Sequence, residues 1–453
     1  MQKDSIKSPV LRVRDRGMCI GCGACCVICP MQKLGITHDE CSGVFVVHQI
    51  SSSSCSCGIP LCEWVCPSLE VGTSDLSQSF ETKADVWLGP VRRACLSWAN
   101  DEKLRFNSSS GGTAKALSRF LLETSEVHRV IALCSDASDP FVPKFQSITQ
   151  PEEISQLSNS FYMHVPFETA LRILHEDSNY RFGIVALPCQ IQALRKLLSL
   201  GTIKADILII GLFCGGINRT RALKRYLSYH KLEEASVQTV KLRGQGWPGK
   251  IVVNDKAIYD RRDPSLLSRT LYWHCFSNDF HLKRCLVCVD RTSELADISL
   301  GDAWISRITE TDSVGTNVVL LRSERGLKVF GAAVQAGILK SIPVTYREVI
   351  DSQSTCLVGH KLGIWAWPSS KTLPSKGFIS FRRLSTEWPI EHTPSMRQVI
   401  YRRLFWNIAR SRIAERFIFP LSIIFPRVII ETGALEIMKH IIGRAEKIWK
   451  RRE

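Results

Sequence analysis

The feature that most constrains this chain is a run of closely spaced cysteines near its N-terminus. Residues 19–30 read Cys-Ile-Gly-Cys-Gly-Ala-Cys-Cys-Val-Ile-Cys-Pro, which contains the pattern C-x2-C-x2-C-x3-C-P. Three thiolates at this spacing can surround one face of a cubane, whereas the cysteine before the proline reaches a second cluster. The sequence therefore predicts a module that holds 4Fe-4S clusters.

A second group of cysteines, between residues 55 and 67, completes the predicted array. Segment 62–67 repeats the C-x3-C-P ending, whereas segment 55–62 reads Cys-Ser-Cys-Gly-Ile-Pro-Leu-Cys and departs from C-x2-C-x2-C. This departure leaves the ligand set of the second cluster open. Unligated core thiols are the alternative for the array, and Cys26 and Cys41 are spare. We expect the ligands to be Cys19, Cys22, Cys25 and Cys66 for the first cluster, and Cys29, Cys55, Cys57 and Cys62 for the second.

The cysteines are concentrated where metal ligands are expected. Of 18 cysteines in 453 residues, ten lie within the first 66 residues. Their spacing favours metal binding over a disulfide framework, which is rare in reducing compartments. Residues 1–17 carry five basic side chains and lack the apolar segment of a signal peptide, so we expect a cytoplasmic protein.

After a Ser-rich connector at 68–90, the pattern changes to alternating strands and helices. Apolar segments predict buried parallel strands at 130–134, 182–187 and 207–213. Helix-like stretches adjoin them at 114–123, 190–200 and 219–230, which is typical of a parallel sheet with crossover helices. Further along we expect β structure over 237–258, a Cys-rich loop over 275–290, a strand at 317–322 and a helix at 324–336. The predicted fold class is α+β.

The C-terminal region is strongly basic. Residues 382–453 hold 15 Lys and Arg against seven Asp and Glu, about half of the chain's formal net charge of +16. Because no nucleic-acid-binding signature accompanies this charge, we expect no nucleic acid partner. The longest apolar segment, 417–430, is interrupted by Pro420, Pro426 and Arg427 and is too short to cross a bilayer. Two interpretations of this region remain open. It could form a helical subdomain packed on protein, or an amphipathic segment that lies on a membrane surface and gives peripheral membrane association.

A loop of small residues precedes the first predicted helix of the α/β region. Residues 107–113 read Asn-Ser-Ser-Ser-Gly-Gly-Thr and run directly into the helix predicted at 114–123. Small residues allow a phosphate to approach the backbone closely, and amides at a helix N-terminus favour an anion. Simple helix capping is the alternative.

Four further cysteines suggest another redox site. Cys189 and Cys214 directly follow predicted strands, where open α/β sheets bind their ligands. Together with Cys285 and Cys288 they could hold a third 4Fe-4S cluster. Core or loop thiols and an isolated C-x-x-C are the alternative.

Several motifs occur in a characteristic order. They are Ser-Ser-Gly-Gly at 109–112, Pro-Cys-Gln at 188–190, Gly-Leu-Phe-Cys at 211–214, Arg-Gly-Gln-Gly-Trp-Pro-Gly at 243–249, C-x-x-C-x-D at 285–290 and Glu-Leu-Ala-Asp-Ile-Ser-Leu-Gly-Asp at 294–302. This set resembles the coenzyme F420 hydrogenase/dehydrogenase beta-subunit family, over roughly residues 15–350. Members, which include the plant 7-hydroxymethyl chlorophyll a reductases, are iron-sulfur flavoproteins that bind FAD and pass electrons between clusters and a two-electron acceptor.

The resemblance implies candidate cofactor ligands. It implies that Cys189, Cys214, Cys285 and Cys288 hold a cluster close to the flavin. Lys241 and Arg243, with Lys250, could bind an anionic cofactor or substrate, and a solvated basic loop is the alternative. Leu187 stands where members often carry Thr, so a hydroxyl near the ligand is lost. Asp290, Asp297 and Asp302 are expected to be caps and turn residues, with proton transfer as the alternative. The candidates for the FAD phosphates are Ser109, Ser110, Gly111, Gly112 and Thr113.

The resemblance also implies a domain division and a function. We expect a ferredoxin-like domain at 1–80, a segment with the Ser/Gly loop at 85–165, an α/β flavin-binding catalytic domain at 166–355, and a linker with a basic helical extension at 356–453. Electrons from a ferredoxin-like partner would pass through clusters to FAD and then to an acceptor such as coenzyme F420 or an organic substrate. The alternatives are an electron-transfer adaptor without its own substrate, also conceivable in surface-polysaccharide biosynthesis, and clusters that serve only as structural staples.

Overall fold

The computed structural model describes residues 8, 10–51, 55, 57, 60–71, 76, 80, 84–136, 138–276, 280–353, 357, 361 and 380–381. The strands are β1 (Leu34–Asp39), β2 (Val44–Gln49), β3 (Glu70–Val71), β4 (Ala84–Asp85), β5 (Gly89–Pro90), β6 (Arg93–Ala99), β7 (Arg129–Cys134), β8 (Lys144–Ile148), β9 (Arg181–Ala186), β10 (Asp206–Leu212), β11 (Val240–Lys241), β12 (Lys250–Val253), β13 (Lys256–Asp260), β14 (Ile298–Asp302), β15 (Asn317–Leu321), β16 (Leu339–Pro343) and β17 (Ser380–Phe381). The helices are α1 (Leu11–Asp15), α2 (Ala24–Val27), α3 (Leu61–Trp64), α4 (Glu102–Asn107), α5 (Thr113–Glu123), α6 (Glu168–Glu176), α7 (Pro188–Ser199), α8 (Thr220–Tyr229), α9 (Leu266–Phe276), α10 (Ser306–Thr309), α11 (Glu324–Gln335) and α12 (Tyr346–Ser352). Short 3-10 turns lie at Pro151–Gln156, Glu234–Ser236 and Lys283–Val287.

An eight-stranded mixed sheet, in the order β16-β6-β15-β14-β10-β9-β7-β8, forms the centre of the fold. Strands β7, β9, β10 and β14 run parallel, and antiparallel strands flank them on both sides. The strands predicted from apolar runs are confirmed as β7, β9 and β10, and their adjoining helices as α5, α7 and α8. The mixed α/β architecture therefore agrees with the expected class.

Strand β10 shows why the apolar segments of the sequence form the buried strands of the central sheet. Leu208 and Ile210 belong to a core that also contains residues of α5 and α11, whereas Ile209 belongs to a second core with residues of α6 and α7. All three side chains are fully buried. A strand covered by helices on both faces has no position for a polar residue.

The N-terminal cysteine motif lies on a small subdomain built around the β1–β2 hairpin. The loop that carries Cys19 and Cys22 packs closely against β2 and α6, and two glycines make this possible. Gly21 and Gly23 have φ angles of +56° and +75°, and a Cβ atom on Gly23 would lie 2.4 Å from the Cβ of Glu168. A side chain at either position would therefore strain the backbone and push the loop away from the sheet domain.

Three smaller sheets complete the described structure. Strands β11, β12 and β13 form an antiparallel sheet in the region where β structure was expected, and β4 pairs with β5. Strand β17 pairs in parallel with β3. The basic extension expected over 356–453, including the apolar segment 417–430, otherwise lies outside the described residues, apart from 357 and 361. Within the described part of the chain, no helix combines the length and the apolar character needed to cross a membrane.

Candidate functional site

Four cysteines of the N-terminal subdomain line one cavity. We call Cys19, Cys22, Cys25 and Cys66 group one. The rest of the wall is mostly apolar and is formed by Val10, Val13, Ile20, Ile36 and Val47, with Gly23 and Ser68. The Sγ atom of Cys19 accepts hydrogen bonds from the backbone amides of Gly21, at 3.5 Å, and Val47, at 3.4 Å. Amides directed at a sulfur favour its thiolate form.

Four other cysteines line a second cavity. We call Cys29, Cys55, Cys57 and Cys62 group two. The Sγ atoms of Cys55 and Cys57 lie 2.9 Å apart, and Cys62 is the most deeply buried of the four. The structure thus brings eight thiols together as two sets of four, in the division expected from the sequence. Cys26 is buried beside Cys25 and Cys41 is exposed, and neither lines these cavities.

The remaining predicted ligands meet at the carboxyl edge of the central sheet. We call Cys189, Cys214, Cys285 and Cys288 group three. Cys189 lies in the first turn of α7, which follows β9, and Cys214 follows β10. Burial raises the pKa of Cys214 to about 12, and neighbouring Cys285 and Cys288 also contribute to this rise. The parallel order of the sheet therefore places four distant cysteines within electrostatic reach of one another.

Burial controls the protonation of these thiols. It raises the pKa of Cys19 to about 11 and also raises the pKa values of Cys22, Cys62 and Cys66. A metal cluster binds thiolates and must displace these protons when it forms. Within the described residues, no three His, Cys, Asp or Glu side chains converge on the position of a single metal ion. Four thiols around each of two cavities are the donor set that a cubane requires.

The Ser/Gly loop packs against the strand pair β6–β15. A Cβ atom on Gly111 would lie 2.7 Å from the Ser97 carbonyl oxygen and 2.9 Å from the Asn317 amide nitrogen, so this position requires glycine. Ser110 donates to the Thr316 carbonyl oxygen at 2.9 Å. Sheet packing therefore accounts for Gly111 and Ser110 without a ligand.

The helix that follows this loop retains unmatched polar groups. Gly112, in the left-handed conformation, begins α5 and has no side chain to cap it, while the side-chain oxygen of Asn317 accepts from the Thr113 amide at 3.3 Å. Thr113 is fully buried, and its hydroxyl has no hydrogen-bond partner within the described residues. Lys115 was not singled out from the sequence, although it stands in the first turn of this helix. Burial lowers its pKa to about 8, and Lys241 adds to this effect. A helix N-terminus, an unmatched hydroxyl and a half-buried lysine fit an anionic group.

The structure separates Arg243 from Lys241. Arg243 is only 4% exposed and donates to Asp302 at 3.0 Å and to the Tyr162 hydroxyl at 3.1 Å. It also donates to the Ser109 carbonyl oxygen. Lys241, at the end of β11, is exposed and lies 3.9 Å from Asp255, so its charge is solvated. Arg243 therefore positions the Ser/Gly loop and the end of β14, and its charge is matched by Asp302.

Arg243 also changes the acidity of its neighbours. Burial alone would raise the pKa values of Tyr162 and Asp302, but the charge of Arg243, with that of Arg261, holds both pKa values below their usual range. Sequence reasoning did not single out Tyr162, and it expected Asp302 to be a cap or turn residue, with proton transfer as the alternative. The acidified phenol lies at the carboxyl edge of the sheet, where α/β proteins bind their substrates.

Two other acidic residues hold backbone segments in place, Asp290 within a local turn and Asp297 between distant segments. Asp290 accepts hydrogen bonds from the amides of Thr292, at 3.1 Å, and Glu294, at 3.0 Å. Asp297 accepts from the Ile209 amide at 2.8 Å and so joins β10 to the segment before β14.

Two family models match consecutive parts of this chain. Both describe the beta subunit of coenzyme F420 hydrogenase/dehydrogenase: residues 94–172 match the model of its N-terminal part, and residues 180–346 match the model of its C-terminal part. The chain belongs to the coenzyme F420 hydrogenase/dehydrogenase beta-subunit family. The resemblance inferred from its motifs is thereby confirmed. The two matched segments of this beta-subunit family member contain group three, the Ser/Gly loop and Arg243, whereas groups one and two precede them.

Curated relatives of this beta-subunit family member come from methanogens. The coenzyme F420 hydrogenase subunit beta of Methanococcus voltae is 26% identical over 258 residues, which cover 56% of this chain and 85% of the relative. The coenzyme F420-dependent sulfite reductase of Methanocaldococcus jannaschii is 24% identical over 337 residues, which cover 70% of this chain and 46% of the relative. The chain therefore spans less than half of the length of the reductase.

A solved structure is also similar to this chain. It is a chain from the F420-reducing NiFe hydrogenase complex of Methanosarcina barkeri, at 18% sequence identity and a TM-score of 0.47. The match covers 65% of this beta-subunit family member and 99% of the other chain.

Proposed function

We propose that this chain is an iron-sulfur flavoprotein oxidoreductase that moves electrons between 4Fe-4S clusters and FAD, and then to a two-electron acceptor. The observation that carries the proposal is the presence of two cavities, each lined by four cysteines. A cubane needs this donor set, and a low-dielectric wall suits a redox group. The names of the relatives, which are F420 hydrogenase subunits and an F420-dependent reductase, support an oxidoreductase that takes part in electron transfer.

In this proposal, the three cysteine groups hold one cluster each. Three of the four thiols of group two are half-buried, whereas three of the four thiols of group one are buried. Group three lies at the carboxyl edge of the sheet. Clusters exchange one electron at a time, whereas a flavin exchanges one or two. The flavin would therefore collect single electrons from the clusters and pass two electrons to the acceptor.

The FAD phosphates would bind at the start of α5. Thr113 and Lys115 supply an unmatched hydroxyl and an ammonium group there. Ser109 accepts from the Ser160 amide at 2.7 Å and therefore helps to shape the loop. Arg243 holds the same loop from the other side through the Ser109 carbonyl oxygen. The flavin itself is inferred from the family, since members are flavoproteins.

The acceptor would bind near the phenol of Tyr162. Arg243 orients this hydroxyl and lowers its pKa, which equips its Oη atom to hold and release a proton. Asp302 fixes Arg243 and keeps the site electrically balanced. Coenzyme F420 is the acceptor that the names of the relatives support.

Anaerobic reconstitution, followed by measurement of iron, sulfide and flavin, tests the proposal. We expect about twelve iron atoms per chain for three clusters, and one releasable flavin. Cys22→Ser and Cys62→Ser should each lose about four iron atoms, whereas the exposed Cys41→Ser should lose none. Parallel titrations with reduced F420 and reduced ferredoxin would then identify the donor. Protein without the broad brown absorption of clusters, or without flavin, would contradict the proposal.

An adaptor subunit without its own substrate is a second candidate, and exposed apolar side chains favour it. Trp64, two residues after Cys62, is 60% exposed, and Ile50, next to the cavity residue Gln49, is 62% exposed. Exposed large apolar groups beside a surface-proximal redox site suit a docking protein partner. Oxidation of the reduced flavin by F420 in the isolated chain would exclude this candidate. The membrane contact expected through residues 382–453 has no supporting observation.

A further inference from the structure

Arg284 is a buried guanidinium that lies between two of the cysteine groups. Its side chain is 3% exposed. Its Nε and Nη2 atoms donate to the carbonyl oxygen of Pro67, at 3.1 and 3.0 Å. Pro67 directly follows Cys66 of group one, and Arg284 directly precedes Cys285 of group three. One side chain therefore joins the edges of both groups.

No carboxylate balances this charge within the described residues. The Nη1 atom is buried and has no nitrogen or oxygen partner there. Burying a guanidinium without a counter-charge costs several kcal/mol. The groups that its charge does reach are sulfurs: Cys66 on one side, and Cys189, Cys285 and Cys288 on the other. The missing negative charge is therefore expected at the cysteine groups themselves.

We propose that Arg284 is a shared counter-charge for clusters held by groups one and three, and that it positions the two groups for electron transfer between them. The inference rests on the proposed function, because it requires clusters at both groups. A cluster with four thiolate ligands is anionic and gains a further negative charge on reduction. A fixed cation beside it in a low-dielectric environment favours the reduced state. Arg284 should therefore raise the reduction potentials of both clusters.

Two neighbouring cations provide matched controls. Arg291 donates to the carbonyl oxygens of Cys214, at 3.2 Å, and Cys285, at 3.1 Å, so these hydrogen bonds tie it to group three. Lys283 donates to the Arg16 carbonyl oxygen at 3.4 Å from an exposed position. Removal of the charge at 291 should therefore change the reduction potential of the group-three cluster alone. Removal of the charge at 283 should change neither cluster's potential strongly, because solvent screens the charge of Lys283.

The test is a redox titration monitored by electron paramagnetic resonance on the reconstituted full chain, with signals assigned from the Cys22→Ser, Cys62→Ser and Cys189→Ser variants. Arg284→Gln should lower the equilibrium constant for reduction of the group-one and group-three clusters at least tenfold, a shift of about 59 mV for one electron. The group-two cluster should not change. Arg284→Lys, which keeps the charge, should stay within about threefold of the original protein.

The outcomes separate the inference from the proposed function. Iron content decides whether the clusters exist, and about eight iron atoms in the original protein would contradict a third cluster. The inference is overturned if Arg284→Gln leaves the group-one potential unchanged, shifts all clusters equally, or behaves like Arg284→Lys. If the glutamine variant does not fold, Arg284→Met allows the same measurement, because the apolar side chain of methionine needs no hydrogen-bond partner in the interior.

Discussion

His164 joins the first cysteine loop to the sheet domain through the carbonyl oxygen of Ile20, which lies 2.6 Å from its Nε2 atom. Its Nδ1 atom accepts from the Phe45 amide at 3.0 Å, so the proton of the neutral ring is on Nε2. Burial lowers the pKa of His164 to about 4. Protonation would add a hydrogen to Nδ1, which would then face the donor amide of Phe45. The hydrogen bond between Phe45 and His164 would break.

Stability should therefore fall in mild acid. The unfolded chain binds a proton at His164 near pH 6.5, whereas the folded chain binds it only near pH 4, so the stabilisation is complete above pH 6.5 and is lost as the pH falls to 4. The shift corresponds to about 3 kcal/mol. Thermal unfolding midpoints measured anaerobically between pH 7 and pH 4.5 should fall less steeply for His164→Gln than for the original protein. Parallel slopes would show that His164 does not titrate as inferred.

Gly23→Ala should weaken the attachment of the group-one loop. The substitution combines an unfavourable φ of +75° with a Cβ atom 2.4 Å from that of Glu168. Gly201→Ala is the matched control, because Gly201 has a φ of +66° and no atom within 4 Å of an added Cβ. For Gly201→Ala we expect the free energy of unfolding to fall by about 1 to 2 kcal/mol from backbone strain alone. For Gly23→Ala we expect a larger fall, together with a lower iron content. Equal effects at the two positions would contradict the close approach of α6.

Arg322→Lys should destabilise the sheet domain by about 3 kcal/mol or more. The Arg322 side chain is fully buried, and its pKa is lowered to about 10 by burial. It donates to Ser299, Leu88, Pro90 and Thr292 at distances between 2.6 and 3.1 Å. A lysine cannot reproduce this planar set of donors.

Arg347→Lys is the control for this prediction, since Arg347 is 83% exposed and pairs with Asp351 on the same helix. We expect a change below about 0.5 kcal/mol there. Urea unfolding monitored by circular dichroism measures both variants. A similar small change at 322 would show that the buried carbonyl oxygens find other donors.

Lys115→Gln should weaken flavin binding at least tenfold, because one charge-assisted hydrogen bond contributes about 1.5 to 3 kcal/mol. Lys103→Gln, on the exposed face of α4, removes the same charge and should leave flavin binding unchanged. The dissociation constant for FAD, measured by fluorescence quenching, checks both variants. Unchanged affinity in the 115 variant would place the phosphates elsewhere.

The sequence predicted those parts of the molecule that local physics determines. Strands β9 and β10 were recognisable because a strand buried on both faces is apolar throughout. Cysteine groups one and two were recognisable because the spacing of their ligands is local, whereas group three was implied by the family resemblance. The antiparallel strand β6 and the parallel strand β14 were not identified, since Arg93–Ala99 and Ile298–Asp302 carry mixed residues whose pattern depends on their neighbours in the sheet.

The polar contacts of the site could not be found in the same way. Arg243 and Asp302 are separated by 59 positions, and Arg284 lies 217 positions from Pro67. Such pairs depend on strand order and loop paths, which no short motif encodes. The sequence could have indicated Lys115, because this residue occupies the first turn after the Ser/Gly loop. Its burial, however, is a property of the folded chain.

The contacts of Gly43 limit how this protein can be divided. The Gly43 carbonyl oxygen, at the tip of the β1–β2 hairpin, accepts from the Thr220 amide at 3.0 Å and from its hydroxyl at 3.2 Å. A fragment that ends near residue 80 would lose this anchor together with His164 and the wall provided by Glu168. Grafting the cysteine-rich part onto another scaffold should therefore require complementary surfaces from two distant stretches of the recipient. Transfer of the first 80 residues alone would leave that part without these contacts.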